Sequence, residues 1–205
     1  MPRTMTRLIL ASSSPFRRAL LESAGFTPTC ISPEVDEDSL KSQGLAPKEL
    51  AEQLAVTKAQ AVWDGIGPQN PAKPEKHIVV GSDQVACLGD QIFSKPGADA
   101  KAIEALKTLN GKTHRLITSV CVLCPGEKAV FTNITELTMR PLDDYQIENY
   151  VRHDQPLNCA GSYMLEKGGI KLFERIQSED FTAIQGLPMM ALTTALLKVA
   201  PDLCF

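Results

Sequence analysis

An acid set inside a greasy segment is the first residue whose surroundings demand a partner. The run His77-Ile78-Val79-Val80-Gly81-Ser82-Asp83-Gln84-Val85-Ala86-Cys87-Leu88 is apolar on both sides of its three polar residues. A carboxylate buried there is unfavourable unless it is paired, binds a cation or carries out chemistry, so Asp83 is the leading catalytic candidate. A second group of candidates follows residues 8–11: Ser12-Ser13-Ser14-Pro15-Phe16-Arg17-Arg18. Ser14 suits a helix N-cap and Pro15 a first helical turn, where its missing N–H costs nothing. Hydroxyls, free backbone N–H groups, Arg17 and Arg18 would then meet at one helix N-terminus, a setting that can hold a phosphate chain. The same residues also fit ordinary capping beside a solvated arginine pair, and arginine at that end opposes the helix dipole. Lys58, on an expected helix, and Lys95, at the corner Ser94-Lys95-Pro96-Gly97, add cations. The acidic segment Pro33-Glu34-Val35-Asp36-Glu37-Asp38 reads as a loop, either solvated or turned toward a site.

Positioning these groups requires a mixed chain. Residues 8–11 read as a short buried strand, and the helix opened by Pro15 runs through Leu20, Leu21 and Ala24 to a left-handed cap at Gly25. Further strands are expected over 26–31, 77–88, 92–93, 113–124, 128–139 and 170–173. Further helices are expected over 48–64, 98–109, 143–152 and from Pro188 to about Val199. Residues 65–76, rich in proline, glycine and asparagine, read as the most flexible loop. Neither a repeat nor an interdomain linker interrupts the chain, so one α/β domain spans residues 1–205, with polar clusters at strand ends.

Composition narrows the classes of function. The chain has 205 residues, 43% of them hydrophobic, which supports a substantial core. Its net charge is −3 and it lacks a long basic run, so no nucleic-acid polymer is expected as a partner. It shows neither a signal-peptide pattern nor the roughly 20 apolar residues of a membrane span, so no membrane association and a cytoplasmic location are expected. Cys30, Cys87, Cys121, Cys124, Cys159 and Cys204 read as reduced core thiols. Cys121 and Cys124 form one C-x-x-C, but no second pair or nearby histidine completes a four-ligand zinc site. His77, His114 and His153 fit no catalytic arrangement, and no G-x-S-x-G offers a serine nucleophile.

In their order along the chain, these pieces resemble the Maf family of nucleoside triphosphate pyrophosphatases. The resemblance rests on Leu10-Ala11-Ser12-Ser13-Ser14-Pro15 with Arg17-Arg18, Pro33-Glu34-Val35-Asp36-Glu37, Lys58-Ala59 and Gly81-Ser82-Asp83-Gln84-Val85. Lys95-Pro96, Cys159-Ala160-Gly161-Ser162 and Gly186-Leu187-Pro188 complete it. It runs from Leu8 to about Leu197 and is closest to the 7-methyl-GTP pyrophosphatase branch. The branch acting on dTTP and UTP usually carries Thr-Asp-Thr where this chain has Ser82-Asp83-Gln84.

The resemblance implies two lobes around a bent mixed β-sheet with a deep cleft, as in Maf and inosine-triphosphatase proteins. It implies cleavage between the α- and β-phosphates, with Asp83 at the proton-acceptor position and a divalent cation, magnesium or manganese, as cofactor. A triphosphate carries about four negative charges, which Arg17, Arg18, Lys58 and Lys95 would offset while Ser12 and Ser14 complete the cradle. Glu34 and Asp83 form the expected metal pair. Phe16, Gln84 and Glu166 stand at the branch's selectivity positions. Phe16 would stack on a cationic 7-methylguanine, Glu166 would accept its N–H donors, and Gln84 would read a remaining edge. Relatives in this branch often carry tryptophan at the position of Phe16. A non-catalytic nucleotide-binding regulator of cell division is the rival expectation, and a homodimer the default assembly.

Overall fold

The computed structural model describes residues 5–66 and 75–205. In chain order these form β1 (Met5–Ala11), α1 (Pro15–Ser23), β2 (Thr29–Ile31), α2 (Glu37–Lys41), α3 (Pro47–Gly65), β3 (Glu75–Leu88), β4 (Gln91–Phe93) and α4 (Asp99–Leu109). There follow β5 (Thr113–Cys124), β6 (Glu127–Met139), α5 (Asp144–Asp154), β7 (Phe173–Gln177) and α6 (Met189–Val199), with short 3-10 turns between them. The loop expected over 65–76 lies largely outside the described residues. No helix among the described residues is long and apolar enough to cross a membrane.

The seven strands form one open mixed sheet in the order β2-β1-β3-β5-β6-β7, with β4 paired to the far end of β3. β1 runs parallel to β2 and β3, whereas β3, β5, β6 and β7 pair antiparallel. The near-continuous apolar runs of β1, β3 and β5 follow from burial on both faces. At the β1 end, Leu8, Leu10, Ile78, Val80 and Val122 pack under Leu21 of α1 and Leu192 and Leu196 of α6. On the opposite face Ile9, Val79 and Leu123 pack against Ala55, Ala59 and Val62 of α3. The far ends of β3, β5 and β6 build a second core, where Ala86, Leu116 and Leu137 meet Leu106 of α4 and Ile147 of α5. One long strand therefore runs from the first core into the second, which gives the two-lobed arrangement that the family resemblance implied.

Three elements depart from the sequence reading. The strand expected over 26–31 begins only at Thr29, because Phe26 is drawn into the core and its N–H bonds the Leu21 carbonyl at 3.0 Å as part of the cap of α1. Residues 170–173 are mostly a 3-10 turn, Gly168–Leu172, and the strand starts where that turn ends. The turn is tethered by Gly168 N donating to Asp154 Oδ2 at 2.6 Å. The acidic segment is not wholly a loop, since Asp36 caps the short helix α2. The cysteines are all free, but only Cys87, Cys121 and Cys124 are buried, and Cys30 is exposed. Cys121 and Cys124 belong to cores on opposite faces of the sheet, so they do not converge on a metal.

Candidate active site

The site lies where β3 changes partners. Along one edge β3 pairs with β5 without interruption from Val79 to Cys87. Along the other edge β1 pairs with it as far as Gly81, and β4 begins only at Ala86. Residues 82–85 thus border a gap in the sheet, and successive side chains there point to opposite faces. Asp83 shares its face with Gly81 and looks toward α3. Gly81 is required there, since a Cβ would lie 2.6 Å from the Ala59 backbone nitrogen. That close approach brings α3, and with it Lys58, onto the strand.

Lys58 joins two carboxylates. Its Nζ lies 2.6 Å from Asp83 Oδ1 and 2.7 Å from Glu37 Oε1. Both Lys58 and Asp83 are buried. Burial alone would raise the Glu37 pKa, but hydrogen bonds and charge from Lys58 and Lys41 hold it down at about 2. Asp83 Oδ2 accepts from no described residue and is not sealed from solvent.

The start of α1 forms the adjoining wall. The Ser14 side chain accepts from the Arg17 backbone at 3.4 Å, so it acts as the N-cap. Ser12 Oγ accepts from Ser14 N at 3.1 Å and from Arg17 Nη1 at 3.2 Å. Arg17 Nε donates to the Gly186 carbonyl at 3.0 Å, which also accepts from Ser82 Oγ at 2.8 Å. Gly186 has φ of 108°, and a Cβ there would lie 2.9 Å from Arg17 Nε, so only glycine suits the position. Burial lowers the Arg17 pKa, and the charges of Asp83 and Glu37 oppose that shift.

Around these groups the cleft has a volume of about 490 Å³, within the usual range for small-molecule sites. Ser14, Phe16, Arg17, Lys58, Asp83, Gln84, Lys95 and Glu166 all line it. Lys95 is exposed and forms no ion pair with a described residue. Glu166 is exposed at the rim, yet partial burial raises its carboxyl pKa, against a smaller lowering from its own backbone.

Three sequence candidates fall elsewhere. Arg18 points to solvent and pairs with Glu22 at 2.7 Å, so the structure does not bring it to the cleft. Ser12 is buried beneath Arg17 and orients that guanidinium rather than lining the cavity. Glu34 is exposed and outside the cavity wall, whereas Glu37, one residue after the Asp36 cap, reaches Lys58. The capping pattern and the i,i+4 pair Glu37–Lys41 are the signals that could have identified Glu37. His114 is a core group: its Nε2 lies 3.0 Å from Tyr163 Oη, and burial lowers its pKa to about 4.

Among the described residues no group of three or more His, Cys, Asp or Glu could hold a metal. A magnesium ion carried with phosphates needs only one or two carboxylates, and Asp83 with Glu37 supplies two on a single ammonium.

An acid held between cations thus lies at a break in a strand edge. The family model described as Maf-like protein matches residues 7–199, and the chain belongs to the Maf family. A protein of Bdellovibrio bacteriovorus named 7-methyl-GTP pyrophosphatase is 42% identical over 186 residues, covering 91% of this chain and 93% of that protein. Proteins of the same name from Xanthomonas axonopodis pv. citri and Cupriavidus metallidurans are 41% and 38% identical, covering 94% and 98% of this chain and 96% and 97% of their own lengths.

Proposed function

We propose that this chain is a nucleoside triphosphate pyrophosphatase that hydrolyses 7-methyl-GTP to the monophosphate and pyrophosphate. The observation that carries the reading is the Lys58–Asp83–Glu37 cluster beside Arg17 on the wall of the cleft. The names of relatives sharing about two residues in five support the substrate.

Arg17 is held with its Nε and one Nη satisfied by protein oxygens, which leaves its other Nη atom to grip a phosphate oxygen. Lys95 adds an exposed charge to the lining, and Ser14 a hydroxyl at the head of α1. Lys58 fixes Asp83 through Oδ1, which leaves Oδ2 to orient a water and take its proton as that water attacks phosphorus. The α–β bridging oxygen leaves with pyrophosphate, so one water is consumed per bond broken. Asp83 and Glu37 would hold the divalent cation, which when bound supplies charge neutralisation for the phosphates. Phe16 offers a ring face to a cationic base, and Glu166 and Gln84 offer acceptors to its edge.

A panel of 7-methyl-GTP, GTP, UTP and dTTP, assayed side by side for pyrophosphate with magnesium or manganese, tests this directly. The methylated substrate should be fastest, and Asp83→Asn should lower kcat by at least about 100-fold with the fold intact. Tight nucleotide binding with no monophosphate from the wild-type chain would instead establish a non-catalytic nucleotide-binding protein.

A further inference from the structure

Gln84 lies on the opposite face of β3 from Asp83, and its amide is fully engaged. Its Nε2 lies 2.9 Å from Thr118 Oγ1, 2.9 Å from the Ala183 carbonyl and 3.1 Å from the Ile184 carbonyl. Two of these partners are carbonyls, which only accept, so the atom facing them is the nitrogen. An amide nitrogen carries two hydrogens, and three acceptors leave neither for a ligand. Thr118 sits directly across from Gln84 in the β3–β5 register and is 1% exposed. Its own hydroxyl hydrogen goes to the Ala183 carbonyl at 2.9 Å, so Oγ1 meets Gln84 only as an acceptor. Gln84 Oε1 has no described protein donor, is not sealed from solvent, and belongs to a residue of the cleft wall.

We propose that Thr118 is a positioning residue for base selection: its hydroxyl ties the Ala183 carbonyl to β5 and accepts from Gln84, so that together with the Ala183 and Ile184 carbonyls it holds the Gln84 amide with only its oxygen offered to the cleft. That wall then selects a base edge presenting N–H donors and disfavours one presenting a ring acceptor. Guanine offers N1–H and a 2-amino group, whereas adenine presents an unprotonated N1. This assignment rests on the nucleotide reading given above, and it adds a buried residue that touches no substrate.

The test is the ratio of kcat/KM for GTP to that for ATP, with pyrophosphate release as readout. Wild type should favour GTP. Thr118→Val should narrow the ratio by about fivefold, the scale of one uncharged hydrogen bond, and through KM rather than kcat. Thr118→Ser should restore it. In a Gln84→Leu background, Thr118→Val should narrow it no further, which separates positioning from a general loss of packing. An unchanged ratio in Thr118→Val, or an equal narrowing without Gln84, would overturn the assignment. If wild type hydrolyses no triphosphate, the hydrolase reading fails by itself. The same ratio of GTP and ATP affinities by calorimetry then decides the Thr118 assignment, and absence of binding to both overturns it too.

Discussion

Replacing Lys58 with methionine removes one ammonium and leaves two carboxylates facing the space it filled. Nζ lies 2.6 Å from Asp83 and 2.7 Å from Glu37, and the Lys58 side chain is 9% exposed. Deleting one partner of a buried pair costs about 3–5 kcal/mol, because the remaining charge stays desolvated. Here Asp83 borders a wet cleft and keeps the nearby charge of Arg17, which places the loss at about 2–3 kcal/mol. For a chain of this size that lowers Tm by about 4–12 °C. Acidification supplies the signature. The folded pKa of Glu37, about 2, lies below its ordinary 4.5, so its contribution is complete above that ordinary value and fades as pH falls through 2. The Tm gap between wild type and Lys58→Met should therefore be largest near neutrality and smaller at pH 3. Thermal melts followed by circular dichroism at both pH values measure it. A gap under about 2 °C at pH 7, or one that widens on acidification, would refute the claim that Lys58 neutralises both carboxylates.

Other substitutions separate the remaining roles. Arg17→Ala should raise KM for the triphosphate by about tenfold or more, whereas Arg18→Ala, which breaks only an exposed pair, should change it less than twofold; initial-rate kinetics compare them. Phe16→Trp should raise the preference for 7-methyl-GTP over GTP by about threefold, since tryptophan is the better cation–π face, and competition assays read that ratio. Gly81→Ala should destabilise by about 3 kcal/mol or prevent soluble expression, because its methyl group collides with the α3 backbone; denaturant titration gives the value.

Long periodic elements were legible in the sequence because burial on one or both faces writes a clear pattern. β5 and α3 fall within a residue or so of their expected bounds. Asp83 was legible for a different reason: a charge among Val79, Val80, Val85 and Ala86 has no inexpensive local explanation. Glu37 was not, because its neighbours Glu34, Val35, Asp36 and Asp38 hide a helix of only five residues. Its identity depends on which turn of α3 passes overhead. The fates of Arg17 and Arg18 diverged because adjacent helical positions point about 100° apart, and only Arg17 faces the Gly186 carbonyl. The carbonyl partners of Gln84 come from residues about 100 positions later, a distance at which no local pattern can report them.

The alternation of side chains along β3 has a consequence for how this chain can change. Asp83 and Gln84 are neighbours assigned to opposite faces, the acid to α3 and the amide to the turn preceding Gly186. Inserting or deleting one residue between Gly81 and Asp83 would exchange those faces, presenting an acid to two carbonyls and an amide to Lys58. Length variation in this strand is therefore confined to even steps. A one-residue shift would thus disturb the Lys58 contact of Asp83 and the carbonyl contacts of Gln84 together.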